Sequence, residues 1–197
     1  PWPPFDPDYV EDHRRMGTTL AATAAKVAET LEFSADATLD WRIKRLALPI
    51  REVPPEELAQ AEELLRRHPE PTWAKDNPRQ IDPAWMAAAS VYSVHLQRQR
   101  QPTLEYEIQA LRLGDVAIVG LPGEPFVELG LQIKMSSPAR LTYIAHCTSQ
   151  YVGYIPTAEA LARGGHEVNL RYWAKLVPEA AEMIVTGALE ALDELFG

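Results

Sequence analysis

The sequence predicts an α/β fold of mixed α+β layers, in which helices pack on a mixed sheet. Apolar and polar residues alternate over 104–110, the period of a strand with one buried face, whereas apolar residues recur at helical spacing over 178–195. Segments of both kinds follow one another and are separated by glycine and proline. The 197 residues suffice for one domain of ordinary size or for part of a larger one.

Composition and charge exclude several classes of function. Hydrophobic residues make up 46% of the chain and charged residues 24%, as in soluble globular proteins. The net charge of -9, without a basic patch in the sequence, argues against nucleic acid or an anionic membrane as a partner. No apolar run approaches the roughly 18 to 20 residues that span a bilayer, and no signal peptide is recognisable. No transmembrane segment is therefore expected, and the cellular compartment stays open.

The first residues predict that the chain is a piece of a longer protein. The chain opens on PWPPFDPDY, without an initiator methionine. Four prolines among the first seven residues predict an extended arm over 1–8. We interpret 1–197 as a single domain fragment that belongs to a larger domain.

The first half of the chain predicts three helices and a strand. A helix over 8–31 would pack on a sheet through a stripe formed by Leu20, Ala24, Val27 and Leu31. The strand over 39–52 would bury Trp41, Ile43 and Ala47 and leave the intervening cations solvated. A surface helix begins near Pro55, and another follows Asp82 as N-cap with Pro83 in its first turn.

The second half predicts a hairpin, then alternating helix and strand. Gly114 and Asp115 separate two strands, of which the second is apolar on both faces and so occupies a central sheet position. A helix over 125–135, a strand over 140–146 and a last helix over 178–195 complete the pattern.

Two strand ends carry the residues that suggest a site. The first strand runs into the turn of VGLPGEPFVELGLQIK, where Glu124 precedes a helix. The second is followed by the irregular connection HCTSQYVGYIPTAEALARGGHE, which contains two tyrosines three residues apart, Tyr151 and Tyr154. Connections of this length usually carry function or are disordered. Both strand ends are expected at the same edge of one sheet, where α/β folds bind ligands.

These motifs resemble a known family. LPGEPF before a helix, then YVGYIPT and GGHE, are similar to the carboxyl-terminal half of the catalytic domain of neutral, non-lysosomal ceramidases and their bacterial relatives. The resemblance covers most of 114–167 and elsewhere only the general order of elements. It implies a zinc-dependent amide (N-acyl) hydrolase, in which zinc-bound water attacks the amide carbonyl of a small-molecule or lipid substrate.

The resemblance also assigns roles to individual residues. Glu124 matches the family's carboxylate ligand of zinc, and Tyr154 matches the tyrosine that gives the same metal a phenolate oxygen. His166 stands where the family has a tyrosine that contacts the scissile carbonyl, so it would donate to the developing oxyanion or protonate the leaving amine. Tyr151 would line the substrate site.

The same resemblance implies what must come from elsewhere. In the family, two zinc-binding histidines and a serine-bearing loop lie in an amino-terminal half that would precede Pro1, so that half is the expected partner. Two departures, Ser149 for the usual Asn and His166 for Tyr, leave the substrate open. The single cysteine, Cys147, offers neither an internal disulfide nor a cysteine-based zinc framework.

Each candidate also has a structural interpretation. Glu124 is equally suited to a helix N-terminus, where the dipole favours a carboxylate. Without the resemblance, Tyr154 is a core or rim tyrosine and His166 a turn or surface residue, and Tyr151 serves packing or lines a substrate site. His146 and Cys147 are expected as a buried strand-end histidine and an inert buried thiol rather than a metal pair. The alternative function is therefore a noncatalytic domain that keeps the family fold and binds a ligand or partner.

Overall fold

The structure is a computed structural model that describes residues 9–33 and 37–197. The predicted proline-rich arm over 1–8 lies outside the described residues. The chain divides into two compact units, Pro1–Ala37 and Thr38–Gly197. The interpretation of 1–197 as a single domain fragment stays a prediction.

The first unit contains helix α1, Tyr9–Ala28. The helix was predicted, as was an apolar stripe that packs on a sheet. Leu20, Val27 and Leu31 of that stripe are not buried within this unit. The periodic pattern thus predicted the helix correctly, and the packing of its stripe on a sheet stays a prediction.

The second unit is a mixed α/β structure built on a four-stranded sheet, as predicted. Strand β1, Leu39–Pro49, pairs antiparallel with β4, Thr103–Leu113, which forms the expected hairpin with β5, Val116–Leu121. Strand β7, Leu141–His146, then pairs parallel with β5. The order β1-β4-β5-β7 places β5 inside the sheet, in agreement with its apolar sequence on both faces.

Helices cover one face of this sheet. Helix α6, Ala180–Phe196, packs on β1 and β4, and α4, Val127–Ser136, connects β5 to β7 and contacts α6. Gly187 allows α6 to approach closely, because a Cβ there would lie 3.1 Å from a methyl carbon of Leu46. Together they form the main core, which includes fully buried Ile108 and Val119.

A second, smaller core lies between two helices beside the sheet. Helix α2, Pro55–Arg67, packs on α3, Pro83–Arg100, and buries Ala61, Val91 and Val94. As predicted, the Asp82 carboxylate caps α3 by accepting from the backbone N–H groups of Ala84 and Trp85. The sequence did not predict the hairpin between these helices, made of β2, Trp73–Ala74, and β3, Asn77–Ile81.

The predicted buried face of β1 was wrong. Trp41 and Ile43 are 64% and 48% exposed, whereas Leu48 on the opposite face is fully buried. Helix α6 covers that opposite face, and Lys44 pairs with Glu190 of α6 at 2.6 Å. Long cationic side chains can lie along an apolar surface and keep their charge at its rim. The alternation was thus correct, but Arg42 and Lys44 lie on the helix-covered face, whereas Arg45 lies on the other.

The other face of the sheet is exposed and largely apolar, except where Arg45 pairs with Glu107 at 2.8 Å. Register pairs Leu39 with Leu113 and Trp41 with Leu111, so these side chains share one face. The apolar sheet face consists of seven residues that are 40% to 73% exposed: Leu39, Trp41, Ile43, Leu111, Leu113, Leu141 and Tyr143. Patches of this kind typically mark an interaction surface.

Candidate functional site

The two predicted strand ends meet at one edge of the sheet. Strands β5 and β7 are parallel, and their last register pair is Leu121 with His146. Two segments then continue side by side. The Cys147 N–H donates to the Gly123 carbonyl at 2.8 Å, and the Glu124 N–H donates to the Gly153 carbonyl at 2.8 Å. The expectation of a shared edge is confirmed.

Glu124 and Tyr154 occupy paired positions beyond this edge. Strand β6, Glu124–Pro125, pairs parallel with β8, Tyr154–Ile155, and Glu124 is the register partner of Tyr154. Register partners in neighbouring strands lie on the same side of a sheet, about 4.8 Å apart. A carboxylate and a phenol are therefore brought next to each other by residues 30 positions apart in the sequence.

Tyr151 completes an oxygen-rich cluster with this pair. Its hydroxyl donates to Oε1 of Glu124 at 2.8 Å. That hydrogen bond is the main cause that raises the pKa of Tyr151 to about 12. The negative charge of Glu124 likewise raises the pKa of Tyr154, with smaller contributions from burial and Glu167. Both phenols thus stay protonated at neutral pH unless a cation binds beside them.

Glu124 does not serve as a helix cap. Helix α4 begins at Val127, after Phe126 as N-cap, and no side chain caps it. The Glu124 carboxylate accepts instead from Tyr151. Its contact is thus with the cluster rather than with the backbone of α4, and its favourable interaction with the helix dipole stays a prediction.

His166 lies at the other side of Tyr154. The two rings meet edge to face with centroids 6.4 Å apart, and the imidazole stacks on Trp173 at 5.2 Å. Thus the four predicted site residues form a row in the order Tyr151, Glu124, Tyr154, His166. Their assigned roles stay predictions, but the structure brings all four together.

Tight backbone contacts fix the loop that carries the tyrosines. Gly153 has φ +90, and a Cβ there would lie 2.3 Å from the Trp173 carbonyl oxygen. The Tyr154 N–H donates to the same oxygen at 2.6 Å. At Gly123, with φ +71, a Cβ would lie 2.4 Å from the Gly153 carbonyl oxygen. Glycine at both positions lets the three segments approach one another.

The loop after β7 also carries strained residues. Cys147 and Ser149 have φ of 56 and 61, a region that non-glycine residues rarely adopt. Serine adopts this region less readily than the asparagine that the resemblance leads one to expect at this position. Here the Ser149 hydroxyl accepts from Gln109 at 3.0 Å. Contrary to the prediction, His146 and Cys147 are exposed, because the edge they follow is open.

Tyr106 anchors the turn before Glu124, a role that the sequence did not reveal. It is fully buried, and its hydroxyl donates to the Pro122 carbonyl at 2.9 Å. Burial raises the pKa of this phenol. The available signal was a tyrosine on the buried face of β4, since a buried hydroxyl needs a partner.

We expect Tyr106→Phe to destabilise the protein by about 1 to 3 kcal/mol, because the buried Pro122 carbonyl then loses its partner. The measurement is the midpoint of urea denaturation compared with that of Tyr92→Phe, a tyrosine on α3. Equal midpoints for the two variants would contradict a structural role for this hydrogen bond.

The cluster offers part of a metal site. Among the described residues, no group of three or more His, Cys, Asp or Glu side chains could hold a metal ion. Glu124 supplies a carboxylate oxygen and Tyr154 a phenol oxygen, and zinc accepts oxygen as well as nitrogen ligands. The negative charge that raises both tyrosine pKa values also suits a cation. The residues fit zinc as two of its ligands, and the remaining ones would come from outside the described residues.

The comparisons with known proteins concern the fold. No family model and no curated protein matches the sequence, whereas solved structures do. A ceramidase complexed with C2 matches with a TM-score of 0.59, and neutral ceramidase from Pseudomonas aeruginosa matches with 0.55. Both are 16% identical to this chain over 98% of its length.

The chain therefore has a ceramidase-like fold. It spans only 35% and 34% of those two structures, consistent with a part of a larger protein. In the described part of this chain, no helix combines the length and apolar character that crossing a bilayer requires.

Proposed function

We propose that the chain is the carboxyl-terminal part of the catalytic domain of a zinc-dependent hydrolase that cleaves amide bonds of N-acylated substrates. The register pairing of Glu124 with Tyr154 is the observation that carries this proposal. It brings a carboxylate oxygen and a phenol oxygen, both able to coordinate a metal, side by side at an open sheet edge. The fold around them is shared with ceramidases.

Each residue of the row has a task in this proposal. Glu124 and Tyr154 bind zinc, which when bound activates water and polarises the amide carbonyl. Tyr151 orients the Glu124 carboxylate through its hydrogen bond, as partners of metal ligands commonly do. His166 extends beyond Tyr154, where an imidazole donates a proton to the departing amine.

The amino-terminal part of the same protein completes the site. We place it on the apolar sheet face, because this surface has the character of a core cut open. The solved ceramidases contain about twice as much further chain as this one. That part would bring the missing nitrogen ligands.

Zinc content of the full-length protein tests the proposal. We expect about one zinc per chain by elemental analysis after dialysis, with strong loss in Glu124→Gln and Tyr154→Phe. Glu128→Gln is the matched control, since Glu128 is an exposed carboxylate in the first turn of α4. Tyr151→Phe should retain zinc but bind it about 10 to 100 times more weakly.

Two outcomes would overturn the proposal. Full zinc occupancy in both ligand variants would remove Glu124 and Tyr154 from the site. No zinc even in the unmodified protein would favour the noncatalytic ligand- or partner-binding domain. The departures from the family pattern at Ser149 and His166 support that alternative.

A further inference from the structure

A cavity next to His166 is lined by cations and no carboxylates. It has a volume of about 600 Å³, within the range of small-molecule sites. Strand β3 and the start of α3 form one wall, and the segment 166–173 forms the other. Arg79, Arg171 and His166 are its ionisable lining residues.

The two guanidinium groups are available to a ligand. Among the described residues, neither Arg79 nor Arg171 has a carboxylate within 4.0 Å. Arg171 uses one nitrogen to donate to the Leu170 carbonyl, which leaves most of its donors free. Its side chain is half-buried in the cavity wall. No carboxylate neutralises either guanidinium, so both are available to an anion that enters the cavity.

Neighbouring acids do not supply that anion. Asp82 adjoins the cavity in sequence, but its carboxylate accepts from two backbone N–H groups at the start of α3. Glu167 is exposed and does not line the cavity. Glu57 lines a neighbouring cavity that Arg171 also borders, but among the described residues no carboxylate forms an ion pair with either arginine.

The cavity is continuous with the candidate site. His166 lines it and also meets the ring of Tyr154, while Trp173 forms an aromatic wall behind His166. Only the His166 ring would therefore separate a ligand group in the cavity from the Glu124–Tyr154 pair. Met86 and Ile81 add apolar surface to the opposite wall.

From these contacts we infer that the cavity binds an anionic group, a carboxylate or a phosphate, on the substrate. The planar guanidinium fork matches both groups through paired hydrogen bonds. The inference rests on the proposed function and narrows its substrate class, from N-acyl compounds in general to those that carry a negative charge near the scissile amide.

Calorimetric binding tests this inference without requiring turnover. The probes are N-lauroylglycine, N-lauroyl-O-phosphoethanolamine and neutral N-lauroylethanolamine, titrated below their micellar concentrations into full-length protein, with and without chelator. We expect at least one anionic probe to bind at least tenfold more tightly than the neutral one in both states, because the cavity does not contain the metal ligands. Whichever anionic probe binds more tightly identifies carboxylate or phosphate as the preferred group.

Variants assign the effect to the cavity. Arg171→Gln should weaken binding of the preferred anionic probe about 10- to 100-fold, as expected for a lost charged hydrogen bond, and Arg171→Lys should recover part of it. Arg79→Gln changes an exposed side chain, so it should fold normally and also weaken binding. Arg163→Gln on α5, Ala158–Arg163, is the control that removes a cation outside the cavity.

The outcomes separate this inference from the proposed function. Equal affinity for all three probes, or equal affinity in Arg79→Gln and unmodified protein, overturns the anionic cavity even if neutral amides are hydrolysed. Arginine-dependent binding without hydrolysis of any probe in the zinc-loaded protein supports the cavity and counts against the amidase.

Discussion

If the proposed function is correct, Glu124→Gln is expected to lower amide hydrolysis by the full-length protein at least a hundredfold. Loss of a side chain that merely orients a metal ligand typically costs 10- to 100-fold, so removal of a ligand itself should reach or exceed the upper end. A hundredfold loss corresponds to about 2.7 kcal/mol of transition-state stabilisation. Glutamine keeps the shape of the side chain and can still accept from Tyr151, so the change tests the charge of the carboxylate.

The measurement is kcat/KM on a panel of N-acyl substrates at fixed zinc concentration. We expect most of the loss in kcat, since the charge acts on the reacting centre rather than on remote parts of the substrate. Glu128→Gln, on the same helix start, should retain activity within about twofold. Unchanged kcat/KM in Glu124→Gln would exclude Glu124 from the chemistry.

Gly153→Ala should cause the largest loss of stability. A Cβ would lie 2.3 Å from the Trp173 carbonyl oxygen and 2.6 Å from its carbon, and φ of +90 is itself unfavourable for alanine. Both obstacles are backbone atoms, which cannot move away as a flexible side chain would. We expect a loss of about 3 kcal/mol or more, in the range that requires a specific structural cause. The change in the free energy of unfolding is measured by urea denaturation.

Gly114→Ala separates the two contributions to that loss, the overlap with the Trp173 backbone and the unfavourable positive φ. Gly114 also has positive φ, at +62, but a Cβ there meets nothing within 4 Å. Its substitution should cost only about 1 to 2 kcal/mol of stability, which is the cost of placing alanine in the left-handed backbone region. If the two variants lose equal stability, then the close approach to Trp173 is not what requires glycine at 153.

The sequence predicted the sheet and the row of site residues but not every packing partner. Alternation over 104–110, the Gly114–Asp115 turn and the apolar run of β5 are local signals, and the hairpin follows from them. The burial of β1 depends instead on which face α6 covers. The sequence predicts that Lys44 on that face is solvated, and only the structure shows its ion pair with Glu190.

In the candidate site, too, some features were predicted from the sequence and others were found only in the structure. The resemblance singled out Glu124, Tyr154, Tyr151 and His166, and the structure brings them together. The hydrogen bond from Tyr106 to Pro122 and the proximity of Arg79 to Arg171 each join segments that are distant in sequence. No local pattern records such contacts, so they became visible only in the folded chain.

The apolar sheet face has a consequence for the order of events during biosynthesis. Translation delivers the amino-terminal part of a protein first. In our proposal, the segment that covers this face is therefore complete before β1 leaves the ribosome, and the strands emerge beside their cover. Made without it, the same face is an aggregation hazard in the crowded cell, where other nascent chains and chaperones would compete for it.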